Sequence, residues 1–122
     1  MTTKQKVNDE TILELIESPE QFISWLDKFN LNQQVGWSTS WTNCPIHNFI
    51  VDTLGLQESE IKVCQKKIYY RINGDDLNLD NIEIQHNIIW VIKFIYEIDD
   101  LGEIPITKEK SLNIINEILY VR

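Results

Sequence analysis

Cys44 and His47 have the residue types and the spacing of a nucleophile and its general base. The unpaired N–H groups at the start of a helix lower the pKa of a thiol there, and a histidine three residues later lies on the same face. The alternative is that Cys44 is a small buried side chain and that His47 is exposed to solvent. No glycines suited to an oxyanion hole flank the pair, so we predict no catalytic residue.

Zinc binding is a second chemistry open to the same side chains. Cys44, His47, Cys64 and His86 together make a Cys2His2 ligand set. Their spacing lacks the paired knuckles of structural zinc sites. We therefore predict no metal and no other cofactor, although the sequence leaves open whether the four side chains converge.

A calcium-binding loop is the third chemistry that the residue types suggest. Asp76, Asn78 and Asp80 match the first three ligand positions of such a loop, but Asn81 and Asn87 stand where it requires Gly and Glu. We interpret the segment as a polar turn.

A basic and aromatic stretch can hold single-stranded nucleic acid by charge and stacking. Lysines are also common on strands at the edge of a sheet, where they block unwanted pairing. The net charge of −8 favours the edge-strand interpretation, so we predict no general binding to nucleic acid. The stretch comprises Lys62, Lys66, Lys67, Tyr69, Tyr70 and Arg71.

A polar loop that carries two tryptophans is the best sign of a contact surface. Tryptophan is enriched at the energetic centres of protein interfaces, and the neighbouring hydroxyls offer hydrogen bonds. The alternative is that both indoles fold back as a lid over the core. We predict that loop 36–42 contacts a protein partner through Trp37, Ser38, Thr39, Ser40 and Trp41, with one of the indoles as the anchor.

The elements that position these residues are predicted to be about five helices packed around a small antiparallel sheet or hairpin, an α+β fold. The helices cover about residues 8–17, 19–29, 44–54, 81–99 and 108–119. The residues predicted to cap them are Asn8, Ser18, Asn43, Asp80 and Thr107.

The helix at 81–99 is apolar on nearly every side, which is typical of a central helix or of one buried in an interface. A homodimer through this helix is therefore a rival to the loop as the main contact. Because residues 88–92 are rich in β-branched side chains, a strand there is the alternative.

The sheet is predicted from residues 60–72 as one strand, the turn Asn73-Gly74, and a return strand through Leu77 and Leu79. A further strand near Val35 or Ile104 would help to stabilise this hairpin. The predicted core comprises Phe22, Leu26, Ile46, Phe49, Ile50, Leu54, Ile88, Val91, Ile95, Ile98, Leu112, Ile115 and Leu119.

Three segments have an order that resembles short, uncharacterised prokaryotic domains. The segments are N-C-P-I-H-N-F-I at 43–50, W-V-I-K-F-I-Y-E-I-D at 90–99 and T-K-E-K-S-L-N-I-I at 107–115. The resemblance lies in a helix that starts with Cys-Pro and a later helix with Trp, Phe and Asp. It implies a compact domain and brings with it no catalytic residue.

Length and composition limit the class of protein. The 122 residues suit one domain, 1–122, in which 1–6 are expected to be a frayed tail. The start is too polar for a signal peptide, no apolar run is long enough for a membrane span, and two cysteines make no disulfide framework, so we expect a cytoplasmic protein. The 20 Ile, the 11 Asn and the lack of Ala indicate an AT-rich genome, bacterial or phage.

Three functions are compatible with these features. The first is a non-catalytic protein-interaction or accessory module of a bacterium or phage. The second is an acidic inhibitor from a phage or mobile element, whose carboxylates imitate the phosphates of nucleic acid. The third is a cysteine-dependent enzyme that uses Cys44 and His47. We predict the first, with an unknown protein partner.

Overall fold

The computed structural model describes residues 7–71 and 82–120. Over these residues the chain forms five α-helices and two small antiparallel sheets, which confirms the predicted α+β class. None of the described helices is long and apolar enough to cross a membrane. The helices are α1 (Asp9–Ile16), α2 (Glu20–Leu26), α3 (Pro45–Leu54), α4 (Ile89–Asp100) and α5 (Lys108–Tyr120). The strands are β1 (Gln34–Trp37), β2 (Ile61–Val63), β3 (Lys67–Tyr70), β4 (Ile82–Gln85) and β5 (Pro105–Thr107), with one 3-10 turn at Glu58–Glu60.

The sheet prediction is correct in kind and wrong in detail. The described part of this segment, 60–71, contains two antiparallel strands, β2 and β3, and not one, because the chain reverses at 64–66 and the Cys64 N–H bonds to the Lys67 carbonyl at 2.8 Å. The third strand of this sheet is β4. Strands do form near Val35 and Ile104, but β1 and β5 pair with each other in a separate sheet. The predicted turn and the return strand at 73–79 lie outside the described residues.

The helix starts follow the capping signals with two shifts. Asn8 and Thr107 cap as predicted, since the Asn8 Oδ1 accepts from the Thr11 N–H at 2.9 Å and the Thr107 Oγ1 accepts from the Lys110 N–H at 3.2 Å. The N-cap of α2 is Pro19, so the predicted cap Ser18 lies one residue before it. The Ser18 hydroxyl accepts weakly from the Glu20 N–H at 3.3 Å. The prediction of Asn43 as the cap of α3 is wrong, because Cys44 Sγ holds that place.

The predicted helix at 81–99 is wrong in its first part. Residues 82–85 form β4, in which buried Ile84 is the partner of buried Ile68, so this cross-strand pairing outweighs the helical pattern. Glu83 lies in that strand and not in the first turn of a helix, and its predicted capping partner Asp80 lies outside the described residues. The alternative of a strand at 88–92 is also wrong, since α4 begins at Ile89.

The core is built around the ring of Phe22, which is fully buried on α2. Four aromatic rings surround it, with centroids between 5.3 and 5.9 Å away. They come from α2, α3 and α4, so one side chain joins three helices. The four rings are those of Trp25, Phe49, Trp90 and Phe94.

The predicted core residues are buried with three exceptions. Ile88 and Leu112 are only partly buried, although both pack against the core. The prediction that Leu119 belongs to the core is wrong, because Leu119 is 39% exposed near the end of α5.

Gly36 is required where β1 passes the start of α3. A Cβ atom added to it would lie 2.6 Å from the Pro45 nitrogen, 2.7 Å from the Asn43 oxygen and 2.8 Å from the Cys44 carbonyl carbon. All three are backbone atoms, so they cannot move aside as a flexible side chain would. Only glycine allows this close approach of two chain segments.

We expect the substitution Gly36→Ala to destabilise the fold by about 1–3 kcal/mol, since it overpacks a contact between backbones. Urea unfolding measures this change. Thr53→Ala on the exposed face of α3 is the control and should stay within about 0.5 kcal/mol of the wild type. A Gly36→Ala variant as stable as the control would contradict the close approach.

Candidate interaction surface

Loop 36–42, here called the tryptophan loop, leaves β1 and returns to the start of α3. The Trp37 N–H donates to the Asn43 carbonyl at 2.8 Å, which closes the loop at its base. The Trp41 carbonyl accepts from the Val63 N–H at 2.8 Å, which ties the far side of the loop to β2. The loop is thus fixed to two separate parts of the fold.

Ser38 fixes the loop a third time and is buried. Its hydroxyl accepts from the Ile104 N–H at 3.0 Å and donates to the Gly102 carbonyl, and its own N–H donates to the Ile104 carbonyl at 3.0 Å. The prediction of Ser38 as a contact residue is therefore wrong, because its hydroxyl is fully used within the protein. Nothing in the sequence distinguished it from its neighbours Thr39 and Ser40.

Thr39 holds the tip of the tryptophan loop in an unusual backbone conformation. Its φ of 54° is in the left-handed region, which β-branched residues rarely adopt. The Thr39 N–H donates to the Asp99 Oδ1 at 2.8 Å, and this bond to a carboxylate stabilises the conformation. Strain of this kind persists only where the surroundings hold the residue in place.

The two indoles of the loop are exposed. Trp37 is 40% exposed and Trp41 is 59% exposed, whereas Trp25 and Trp90 in the core are almost completely buried. The alternative in which both loop indoles cover the core as a lid does not match these exposures. The loop therefore presents two large apolar side chains on a backbone that is already ordered.

The surroundings of the loop are acidic and partly apolar. In the turn after α4, the Gly102 carbonyl accepts a hydrogen bond from the Ser38 hydroxyl, and Leu101 is an exposed apolar side chain. Asp99, Asp100 and Glu103 in the same stretch are exposed, and no described lysine or arginine forms a salt bridge with them. The surface therefore combines apolar anchors with negative charge.

Cys44 and His47 are adjacent, but their geometry does not suit a nucleophile and a base. The Cys44 thiol is buried and accepts from the backbone N–H of His47 at 3.4 Å. Burial raises the pKa of the Cys44 thiol to about 12, more than the N–H groups of the helix start lower it. The prediction that His47 is exposed in the non-catalytic alternative is wrong, because its ring is buried.

The ring of His47 is engaged with other groups. Its Nδ1 lies 3.0 Å from the Asn48 Oδ1, and its Nε2 lies 3.0 Å from the Glu58 carbonyl oxygen. Asn48 Nδ2 in turn donates to the Val35 carbonyl at 2.9 Å. His47 thus joins α3 to the 3-10 turn and, through Asn48, to β1, which is a structural role.

The four potential zinc ligands are described, and they do not form a metal site. No three His, Cys, Asp or Glu side chains among the described residues are placed to hold a metal ion. Cys64 is partly buried in the β2–β3 turn and His86 follows β4, while Cys44 and His47 lie at α3. The residues of the calcium-loop hypothesis at 76–81 lie outside the described part.

Three of the six residues of the basic stretch have side-chain contacts within the protein. Lys67 forms a salt bridge with Glu83 at 3.7 Å, and Arg71 Nη2 donates to the Ser59 carbonyl at 3.2 Å. Tyr70 is buried, and its hydroxyl donates to the Asp9 Oδ1 at 2.5 Å. Lys62 is exposed on the outer strand β2, as the edge-strand interpretation predicts, whereas Lys67 is on the central strand.

Comparison with known proteins gives no match: no family model, curated protein or solved structure is significantly similar to the chain.

We expect the Cys44 thiol to react with a maleimide only when the protein unfolds, because it is buried and its pKa is raised. Cys64 is partly exposed and should react first, although burial raises its pKa as well. Mass spectrometry of digested protein after labelling at pH 7.5 identifies the site. Fast labelling of Cys44 in the folded protein would instead favour the cysteine-enzyme hypothesis.

The substitution Ser38→Ala should lower the free energy of unfolding by about 1–3 kcal/mol, since it leaves the Ile104 N–H without its side-chain acceptor. Ser40→Ala in the same loop is the matched control, because no hydrogen bond ties the Ser40 side chain to the described residues. Thermal or urea unfolding measures both. Equal stability of the two variants would contradict the role of Ser38 as the internal anchor.

Proposed function

We propose that the protein is a non-catalytic interaction module that binds a protein partner through the tryptophan loop. The observation that carries the proposal is the exposure of Trp37 and Trp41 on a backbone fixed to β2, α4 and the stretch 102–104. A rigid loop loses little conformational freedom when it binds, so more of the energy of burying an indole remains as affinity. Indoles that enter apolar pockets are typical energetic centres of interfaces.

The charges around the loop indicate the chemistry of the partner. Asp99, Asp100 and Glu103 lie exposed in the stretch to which the loop is bonded, and Leu101 between them is 42% exposed. A complementary surface has an apolar pocket for an indole and lysine or arginine at its rim. The encounter with such a partner is faster at low salt, because opposite charges steer it.

The acidic-inhibitor hypothesis is the alternative, and the placement of the described carboxylates does not favour it. A phosphate mimic needs a continuous negative strip. Residues 99–103 comprise the last two residues of α4 and the turn after it, whereas the carboxylates of α1 lie beside the residues that precede the start of α4. The 12 residues of α4 span about 18 Å, so the two groups are separate.

The test is capture of partners from the native host by the wild-type protein and by the variants Trp37→Ala and Trp41→Ala. We expect at least one variant to lose the principal partner, with an affinity about thirty-fold lower, since truncation of an anchor costs about 2 kcal/mol or more. Its melting temperature should stay near that of the wild type, because the loop indoles lie outside the core. Titration calorimetry with the purified partner gives the affinities.

Tyr96→Ala is the matched control, because Tyr96 is an exposed aromatic residue on α4 and not in the loop. If all three variants bind the partner equally, the tryptophan loop is not the contact surface. If Tyr96→Ala alone lowers assembly, and sedimentation of the wild type shows a dimer, the homodimer through α4 is favoured instead. Competition of the captured partner by DNA would favour the acidic inhibitor.

A further inference from the structure

A groove lies between α1 and the residues that join β4 to α4. It has a volume of about 590 Å3 and mostly apolar walls. One wall is a face of α1 and the other is formed by residues 85–88. Leu13 and Ile88, both partly buried against the core, supply apolar surface from the two sides.

The α1 side of the groove carries four carboxylates, of which Asp9 accepts from the Tyr70 hydroxyl and the other three have neither a cationic partner nor that bond. Glu10, Glu14 and Glu17 are exposed, line the groove, and form no salt bridge with any described residue. With Leu13 they occupy positions i, i+3, i+4 and i+7 of the helix, so they share one face. No lysine or arginine is among the described residues that line the groove.

His86 in the opposite wall has a donor with no acceptor. Its Nδ1 accepts from the Ile88 N–H at 3.2 Å, so the proton of the neutral ring is on Nε2. That Nε2 is buried, and it has no hydrogen-bond partner in the described structure. Burial lowers the pKa of His86, so at neutral pH its ring adds no positive charge to the groove.

We propose that this groove binds an arginine or lysine residue within a peptide segment of another protein. The aliphatic stem of the side chain lies on Leu13 and Ile88, and its cation meets the carboxylates of Glu10, Glu14 and Glu17. A carbonyl oxygen of the peptide backbone is the acceptor proposed for His86 Nε2, which is buried and unpaired in the described structure. A simple diamine would satisfy the carboxylates but not the histidine, because it has no acceptor.

The groove is a second site, distinct from the tryptophan loop. It adjoins the start of α4, whereas the loop is bonded to Asp99 near the other end of the same helix. The length of α4 therefore separates them, and a variant of one site leaves the other intact. The proposal does not depend on the function proposed for the loop.

The test uses the full chain, labelled with 15N, and two blocked peptides: acetyl-Leu-Arg-Leu-amide, and the same peptide with uncharged citrulline in place of arginine. We expect the arginine peptide to shift the amide signals of residues 10–17 and 85–88. The citrulline peptide should bind about fivefold more weakly, because it lacks the charge that the carboxylates attract. The double substitution Glu14→Gln with Glu17→Gln should weaken the arginine peptide by a similar factor.

Glu117→Gln is the matched control, since Glu117 lines a different groove between α4 and α5. It should leave the affinity for the arginine peptide unchanged. Equal binding of the two peptides, signal shifts elsewhere, or no binding at millimolar peptide would overturn the proposal. A large gain in affinity when Lys4 and Lys6 are changed to Gln would also overturn it, because the occupant would then be a lysine of the chain itself.

Discussion

The packing of aromatic rings around Phe22 is the interaction on which the rest of the fold depends. Among the described residues, the Phe22 ring contacts four other aromatic rings, and these belong to three helices. Truncating such a buried phenylalanine typically costs about 3–5 kcal/mol, which is a large part of the stability of a small domain. Two of the four neighbouring rings, Trp25 and Trp90, have an indole N–H, and each connects the cluster to a further element through a hydrogen bond. Trp25 donates to the Asp52 carboxylate of α3 at 2.8 Å, and Trp90 donates to the Ile16 carbonyl at the end of α1 at 2.7 Å.

The two proposed contact surfaces are positioned in different ways. The groove forms because Trp90 holds the start of α4 against the end of α1, so that Ile88 and Leu13 face each other. The tryptophan loop depends on hydrogen bonds instead. Ser38, Thr39 and Trp41 connect it to residues 102–104, to Asp99 and to β2. The core thus fixes the positions of the helices, and hydrogen bonds to residues 102–104, to Asp99 and to β2 fix the position of the loop.

The sequence predicts the helices better than the strands, for a physical reason. A helix is specified by local spacing and by caps such as Asn8 and Thr107, which act within one turn. The division of 60–72 into β2 and β3 depends on a turn at 64–66 that contains none of the usual turn residues. The start of α4 depends on the pairing of Ile84 with Ile68, which is a contact between distant parts of the chain.

The sites were predictable only in part, for the same reason. The tryptophan loop was singled out from its residue types and its polar context, but these did not show that both indoles are exposed. The burial of Ser38 and of His47 was not predicted, because their partners are not neighbours in the sequence. Ser38 bonds to Gly102 and Ile104, and His47 bonds to Glu58. The groove was missed altogether, because it brings α1 together with residues 85–88 and none of its side chains belongs to a recognisable motif.

The bond from Ser38 to Gly102 has a consequence for synthesis of the protein. This bond joins residues that are 64 positions apart in the sequence, and the paired strands β1 and β5 have a similar separation in the sequence. A ribosome exposes the N-terminal part of a chain first, so the tryptophans emerge well before the residues that hold them in place. The loop can therefore take its final shape only after residues 102–107 have left the exit tunnel. Recognition through the ordered loop would thereby distinguish folded molecules from nascent chains that still lack Gly102 and Ile104.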